Sequence, residues 1–371
     1  MIFYRTGNAR RIYGFGDACT DVPLLGMPLR NRQELVVRAV GGEIVDIECE
    51  SEIRDEVCIV FGANTYFTPA LARFVSMYVK RRPGSYEFVL EDNRFNQRYL
   101  LPATDFPGEF GRFGLFCRHK DFPETVTVTV PQKVFPNHTP LPRQLLDEGL
   151  YHLDQCDSWI GSVDTPFHLL QLNMAMNINR DIWLRKLVPA AHAKNMRHLN
   201  TRLYFLGLRV ANRKGRGCRI HPTAVLEGVT LGDNVTIGAY AVIRLSSIGS
   251  GTTIEDQASV TYSVLGENNF IANKNHVAFC MTYDNVFLIH GPYQFSVFGE
   301  DTAVFAVINC DVRMDKRTIR ISTENGLLDS RQHLLGVAYG HRAKVAGGNI
   351  VAPGRVIPND HVETPPGFIL T

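Results

Sequence analysis

Aliphatic residues recur along the second half of the chain at Ile220, Val225, Leu231, Ile237, Ile243, Ile248, Ile254, Val260, Leu265, Ile271 and Val277. The steps are six residues, shortened to five at 220–225, 243–248 and 260–265, so that one circuit takes 17 residues from 243 onward. Neither a helix, with a period of about 3.6, nor a strand, with a period of about 2, repeats in this way. Four positions after several of the aliphatics stands a small or slim residue: Ala224, Val235, Ala241, Thr252, Ala258. Gly, Asn and Asp fill the gaps, as in GDN (232–234), GSG (249–251) and GENN (266–269). Short flat strands, each pointing one aliphatic inward and followed by a turn that Gly and Asn permit, build a triangular coil. One coil cannot bury its column alone; stacked coils can. The pattern fades after Val277 and returns over 334–358, where Val345 and Val351 are again six apart. Pro353, Pro358, Pro365 and Pro366 then end regular structure.

Residues 33–180 are patterned differently. QELVVRAV (33–40) reads as a helix, EIVDIEC (43–49) and EVCIVFGA (56–63) as strands. TPALARFVSMYVKRR (68–82) reads as a helix with Thr68 as N-cap. TVTVTV (125–130) is a strand with polar alternation, and Asp164, Thr165 and Pro166 open a further helical pattern. Alternation of this sort predicts an α/β sheet domain. We therefore expect three parts: an α/β domain over 1–163, a helical basic connector over 164–217, and the coil over 218–371 with an irregular insertion at 278–330.

The coil pattern is the hexapeptide repeat of the left-handed parallel β-helix. Joined to an α/β domain by a helical connector, it resembles the sugar-1-phosphate nucleotidylyltransferases fused to such a helix. The bifunctional N-acetylglucosamine-1-phosphate uridylyltransferase/acetyltransferases are of this kind. Locally, PLLGMPLRNRQELVVRAV (23–40) is similar to the family's segment after the nucleotide loop. CIVFGANTYFTPALARFV (58–75) looks like the strand that carries a metal-binding Asp, and VDTPFHLLQLNMAMN (163–177) is similar to the helix leaving the transferase domain. The fold class implied is an α/β nucleotidyltransferase-like domain followed by a left-handed β-helix.

Departures from that family shape the functional expectation. Its Gly-rich phosphate loop with a following Arg has no counterpart in GFGDACTDV (14–22), and Asp21 and Val22 stand where the family has a Lys. Gly62, Ala63 and Asn64 bring no carboxylate to the metal position, although magnesium prefers hard anionic oxygens. No metal is therefore expected. The α/β domain is read as a degenerate site kept for binding or assembly rather than for nucleotidyl transfer.

On the coil, SVLGENNFIANKNHVAF (263–279) resembles the family's acetyltransferase stretch. The resemblance implies acyl-CoA as donor, His276 as general base, Asn275 as its orienting partner and Lys274 beside them. His341, Arg342 and Lys344 are further candidates for holding CoA. The other reading of His276 is a cap on a coil corner through a backbone hydrogen bond. Three functions stay open: CoA-dependent acyl transfer to a sugar-nucleotide or a related amine or hydroxyl, a non-catalytic sugar-nucleotide sensor or assembly protein, and a nucleotidylyltransferase. The resemblance also implies a homotrimer.

Composition adds two points. Eight cysteines without a CxxC pair, in a chain opening MIFYRTGNARR, are expected to be reduced thiols of a cytoplasmic protein. Net charge is +2 overall, yet residues 180–219 carry eleven Lys or Arg against Asp181 alone, a segment of +10 that leaves −8 elsewhere. Such a segment can pair with the acidic remainder, meet anionic lipid or bind phosphates; few aromatics accompany it, so nucleic acid is not expected.

Overall fold

A computed structural model of the protein describes residues 1–106, 109–180 and 207–364. These fall into two compact units. The first comprises Met1–Pro140, Leu150–Leu172 and Thr323–Arg331, and the second the other described residues.

The first unit is built on a six-stranded mixed sheet. Its strands are β1 (Ile2–Thr6), β2 (Glu43–Ile47), β3 (Val57–Gly62), β4 (Ser85–Val89), β5 (Phe116–His119) and β6 (Thr125–Thr129), in the order β2-β1-β3-β5-β4-β6. β1 runs parallel to both neighbours, β5 is antiparallel to β3 and β4, and β6 is parallel to β4. Helices α1 (Leu29–Arg38), α2 (Pro69–Arg81) and α3 (Arg94–Tyr99) accompany it. Thr68 caps α2 as expected, its Oγ1 accepting the Leu71 N–H at 3.3 Å, with Pro69 at the first helical position. Phe3, Phe61 and Phe67 pack in the core, Phe61 edge-on to Phe67 at 5.2 Å between ring centroids. β6 alternates with polar residues because it is the sheet's edge, where Val126 is 56% exposed.

Helix α4 (Pro166–Asn179) is expected from the sequence, and the boundary between the units falls after its Leu172. Its C-terminal turns fasten to the coil. Asn177 donates to Leu245 O (2.5 Å), and Arg180 donates to Thr230 Oγ1 (3.0 Å), Ser247 Oγ (2.8 Å) and Gly228 O. Residues 181–206 of the basic connector, with Arg185, Lys186, Lys194, Arg197 and Arg202, lie outside the described residues. Of the described cations, Arg209 joins Arg244 on the buried carboxylate of Glu227, and Arg216 pairs with Asp233 at 3.2 Å. No described helix is long and apolar enough to cross a membrane.

The second unit is the stacked coil. Short parallel strands form three faces: two eight-stranded sheets, and a third of five strands that a strand pair, Ile308–Asn309 with Ile350–Val351, takes up again later. This arrangement fits a left-handed β-helix. The inward columns are Leu231, Ile248, Leu265 on the first face, Ile237, Ile254, Ile271 on the second and Ile243, Val260, Val277 on the third, all buried. Three details differ from the sequence expectation. Leu226, not Val225, aligns with Ile243, so from Ile220 onward the steps run six, five, six and repeat. The coil starts at Arg213–Lys214, which pair with Thr230–Leu231; as an exposed end strand it carries charge instead of an apolar residue and so hides its periodicity. Paired strands also continue on the first two faces as far as Phe305, and a third-face strand resumes at Ile308–Asn309, so the irregular segment covers about 310–335 and not 278–330. The aliphatic signature is masked in that stretch because aromatics replace it inside. Tyr293, Phe298 and Tyr339 are fully buried, and Phe298 stacks on Tyr339 with centroids 5.1 Å apart. Pro365 and Pro366 lie outside the described residues.

Coil-on-coil packing also explains the corner glycines. A Cβ at Gly238 would lie 2.6 Å from the Asp256 backbone nitrogen and 2.4 Å from its Oδ1. Gly238→Ala is therefore expected to force apart adjacent coils and cost about 1–3 kcal/mol, visible as a lower midpoint in calorimetry. An unchanged midpoint would mean that the coils can separate locally at no cost.

Candidate functional sites

In open α/β sheets ligands bind beyond the carboxyl ends of the strands, where the chain leaves one strand to either side. β1 is that strand here: the chain passes to β2 on one side and returns to β3 on the other. A cavity of about 230 Å³ opens there, lined by Thr6, Gly7, Arg10, Asn64, Asp105 and Ser162 among others. A second cavity, of about 370 Å³, shares Arg10 and Asp105 with it.

Asp164 organises the wall of these cavities. It precedes α4 and is buried, accepting from Asn64 Nδ2 at 2.6 Å, the Thr104 N–H at 3.1 Å and Ser162 Oγ at 3.3 Å. Arg10 Nη2 lies 2.9 Å from its Oδ1, and the same guanidinium grips Asp105 at 2.5 and 3.0 Å. Burial by itself would raise the Asp164 carboxyl. The positive charge of His168 when protonated, Arg10 and the donated N–H groups outweigh burial and hold the carboxyl below its ordinary range. Burial likewise opposes the charge on Arg10, yet Asp105 and Asp164 leave its pKa raised. His168 is fully enclosed: Nε2 lies 2.9 Å from Pro102 O and Nδ1 2.8 Å from Thr165 Oγ1. A carbonyl only accepts, so Nε2 carries the proton and Nδ1 accepts from the Thr165 hydroxyl. Burial lowers its pKa, and the imidazole is neutral at pH 7. Gly62 makes room for Asn64, since a Cβ there would sit 2.6 Å from Asn64 Oδ1.

Arg10 is the residue that the sequence reading missed. TGNARR (6–11) begins at the last residue of β1, with Gly7 at φ +74° and Arg10 in the cavity, whereas GFGDACTDV lacks a following basic residue. The usable signal was a glycine just past a strand with two arginines close behind. Asp164, one hundred residues on, is a further residue that only folding places beside Asn64. Among the described residues no group of three His, Cys, Asp or Glu is gathered as a metal would need. The buried thiols are poor nucleophiles: burial pushes Cys19 and Cys58 up to about 11 and Cys117, Cys156 and Cys280 up to about 12.

On the coil, His276 opens a third-face strand, His276–Ala278, beside Ser259 of the preceding coil. Its imidazole is half-buried, has no hydrogen-bond partner among the described residues, and is shifted below its ordinary pKa by desolvation. Asn275 does not orient it. The Asn275 carboxamide turns inward, donating to Leu288 O at 3.0 Å and accepting the Gly291 N–H at 2.7 Å. It occupies the corner column of Ala241 and Ala258. The next coil is one residue short, Val277 pairing with Tyr293 sixteen positions on, and the Asn satisfies the backbone there. Lys274 is exposed at the adjoining corner.

The other CoA candidates lie on other coils. His341 is buried at a corner between first and second faces, its Nδ1 accepting the Glu300 N–H at 2.9 Å and its ring edge-on to Tyr283. Arg342 is bidentate to Asp360 at 2.5 and 2.8 Å. Lys344 is exposed on a second-face strand. Three coils separate Lys344 from the Lys274 coil, about 14 Å at roughly 4.8 Å per coil.

The coil is thus a stacked repeat of the type found in hexapeptide transferases. Residues 215–244 match the family model described as bacterial transferase hexapeptide (six repeats). No curated protein matches the chain. The match supports a transferase of the hexapeptide type.

Proposed function

We propose that the chain transfers an acyl group from CoA to a sugar-nucleotide or a related amine or hydroxyl, with His276 as general base. The observation that carries this reading is the state of His276: desolvated, neutral at pH 7 and uncommitted on an outward strand. Asn275, its neighbour in the chain, is bound into the ladder through its carboxamide. A neutral imidazole with a free nitrogen can take the acceptor's proton as the thioester is attacked. Lys274 and Lys344 are the cations left to meet CoA phosphates, since Arg342 is engaged by Asp360 and His341 by the Glu300 N–H. A homotrimer, typical of hexapeptide transferases, belongs to the same reading. Anionic lipid at 180–219 remains part of the proposal only through its charge.

A second reading is favoured by the cavity around Arg10 and Asp164: a sugar-nucleotide-binding protein whose coil serves assembly. Release of CoA thiol from acetyl-CoA, followed with a thiol reagent across UDP- and dTDP-amino sugars, separates the two. Acyl transfer is expected to give acceptor-dependent thiol release and a thermal shift with acetyl-CoA; at about 100 times Kd a ligand adds roughly 2.7 kcal/mol to the folded state. A shift with sugar nucleotides alone, without thiol release, would leave the second reading. Magnesium-dependent release of pyrophosphate from a nucleoside triphosphate would establish nucleotidyl transfer instead.

A further inference from the structure

The larger cavity of the first unit is completed by an element that neither reading uses. Between its later coils the chain makes a hairpin, Ile319–Thr323 with Gly326–Gln332. The hairpin's end, Thr323–Arg331, belongs to the first unit. Thr323 Oγ1 donates to Gly326 O at 2.9 Å and closes the turn. Arg331 holds the returning strand, 3.6 Å from Asp92 and stacked 4.5 Å above the Phe110 ring. Thr323, Glu324 and Asn325 are thereby fixed as a wall of the cavity, together with Arg10, Arg11 and Tyr13.

The side chains on this wall are unevenly committed. Arg10 is engaged by Asp105, Asp164 and Thr104. Arg11 makes one bond, to Gly16 O at 2.7 Å, and keeps the rest of its guanidinium for solvent or ligand. Glu324 and Asn325 are exposed and have no hydrogen-bond or ion-pair partner among the described residues. A carboxylate accepts from two hydroxyls at once, an adjacent carboxamide both accepts and donates, and a guanidinium meets a phosphate in a fork. The three together match one chemistry: a polyhydroxylated ring carrying a phosphate.

We propose that the hairpin tip is the sugar-reading wall of this cavity. Glu324 and Asn325 take the ring hydroxyls of a phosphorylated sugar whose phosphate lies on Arg11. The inference rests on the reading that the first unit holds a sugar-bearing ligand, and adds the residues that choose the sugar. Because the two side chains are exposed and unbonded, replacing them leaves the fold intact, which an unchanged thermal midpoint checks.

Titration calorimetry on the full chain tests it with glucose 1-phosphate, N-acetylglucosamine 1-phosphate, their UDP conjugates, and UMP as a probe lacking the recognised sugar. At least one sugar probe is expected to bind. Glu324→Ala and Asn325→Ala should each weaken it about tenfold while leaving UMP unchanged, and Arg11→Ala should weaken every sugar phosphate alike. The free sugar phosphates and the UDP conjugates separate a sugar-phosphate site from a nucleotide-sugar site. Sugar binding that both tip variants leave within twofold overturns the hairpin's role while the cavity reading stands. Loss of UMP and sugar binding in equal measure overturns it as well. If the wild-type chain binds none of the probes, the underlying reading falls and the inference with it.

Discussion

His276→Ala is expected to lower kcat/KM for acyl transfer by about 10²–10⁴, the contribution of a positioned general base, with the fold unchanged. The side chain makes no hydrogen bond among the described residues and is only half-buried, so its removal strands nothing. The adjacent Asn275→Ala should behave in the opposite way. It leaves Leu288 O and the Gly291 N–H inside the coil without partners, at about 1–3 kcal/mol for each orphaned group. Activity should fall only as far as the fold does. The pair of variants separates chemistry from scaffolding in two neighbouring residues. Retained transfer in a folded His276→Ala protein would remove the base assignment. The pH profile gives an independent check: the base acts when neutral, and desolvation sets its pKa below the ordinary 6.5. kcat/KM should therefore be flat above pH 6.5 and decline as pH drops through the lowered value.

The largest stability effect is expected at Asp164. Asp164→Ala removes the acceptor of Asn64, of the Thr104 N–H and of Ser162, and half of the counter-charge of Arg10. Orphaning these buried donors costs about 1–3 kcal/mol for each group left without a partner, measurable as a shift in the urea midpoint. Asp105→Ala, whose side chain is 57% exposed, should cost no more than about 1 kcal/mol. Equal effects from the two would show that the Asp164 network is not closed to water. Linkage adds the sign with pH. Asp164 titrates below its unfolded value, so its contribution is complete above about pH 4 and is lost as pH falls through the folded pKa. His168, buried and neutral, is also shifted downward; its contribution is complete above about pH 6.5 and is lost on acidification through its folded pKa. Acid should thus loosen the first unit in two stages, the histidine stage first.

The elements most legible in the sequence were those with local causes. Thr68 before Pro69 announced α2 because a hydroxyl cap and a proline at the first turn act within four residues. The column of Leu231, Ile237 and Ile243 announced the coil because each turn repeats the same requirement. Legibility failed where one contact partner replaced another of different chemistry. Tyr293, Phe298 and Tyr339 fill the interior that aliphatics fill below, and the period vanished from view although the strands did not. Asn275 took on the look of a catalytic neighbour of His276 because adjacency in sequence hides that consecutive strand and corner positions face opposite ways.

By itself, then, the sequence determined the coil, the α/β character of the first half, the cap of α2 and the start of α4. Each of these follows from periodicity or from interactions within a few residues. Only the tertiary structure decided that Asp164 meets Arg10 and Asn64, that Asn275 repairs a shortened coil, and that the tip of a hairpin near residue 324 closes a cavity behind Arg11. Such pairings join residues sixteen to more than three hundred positions apart. Burial and hydrogen bonding select them by position in space, and one-dimensional spacing carries no trace of that position.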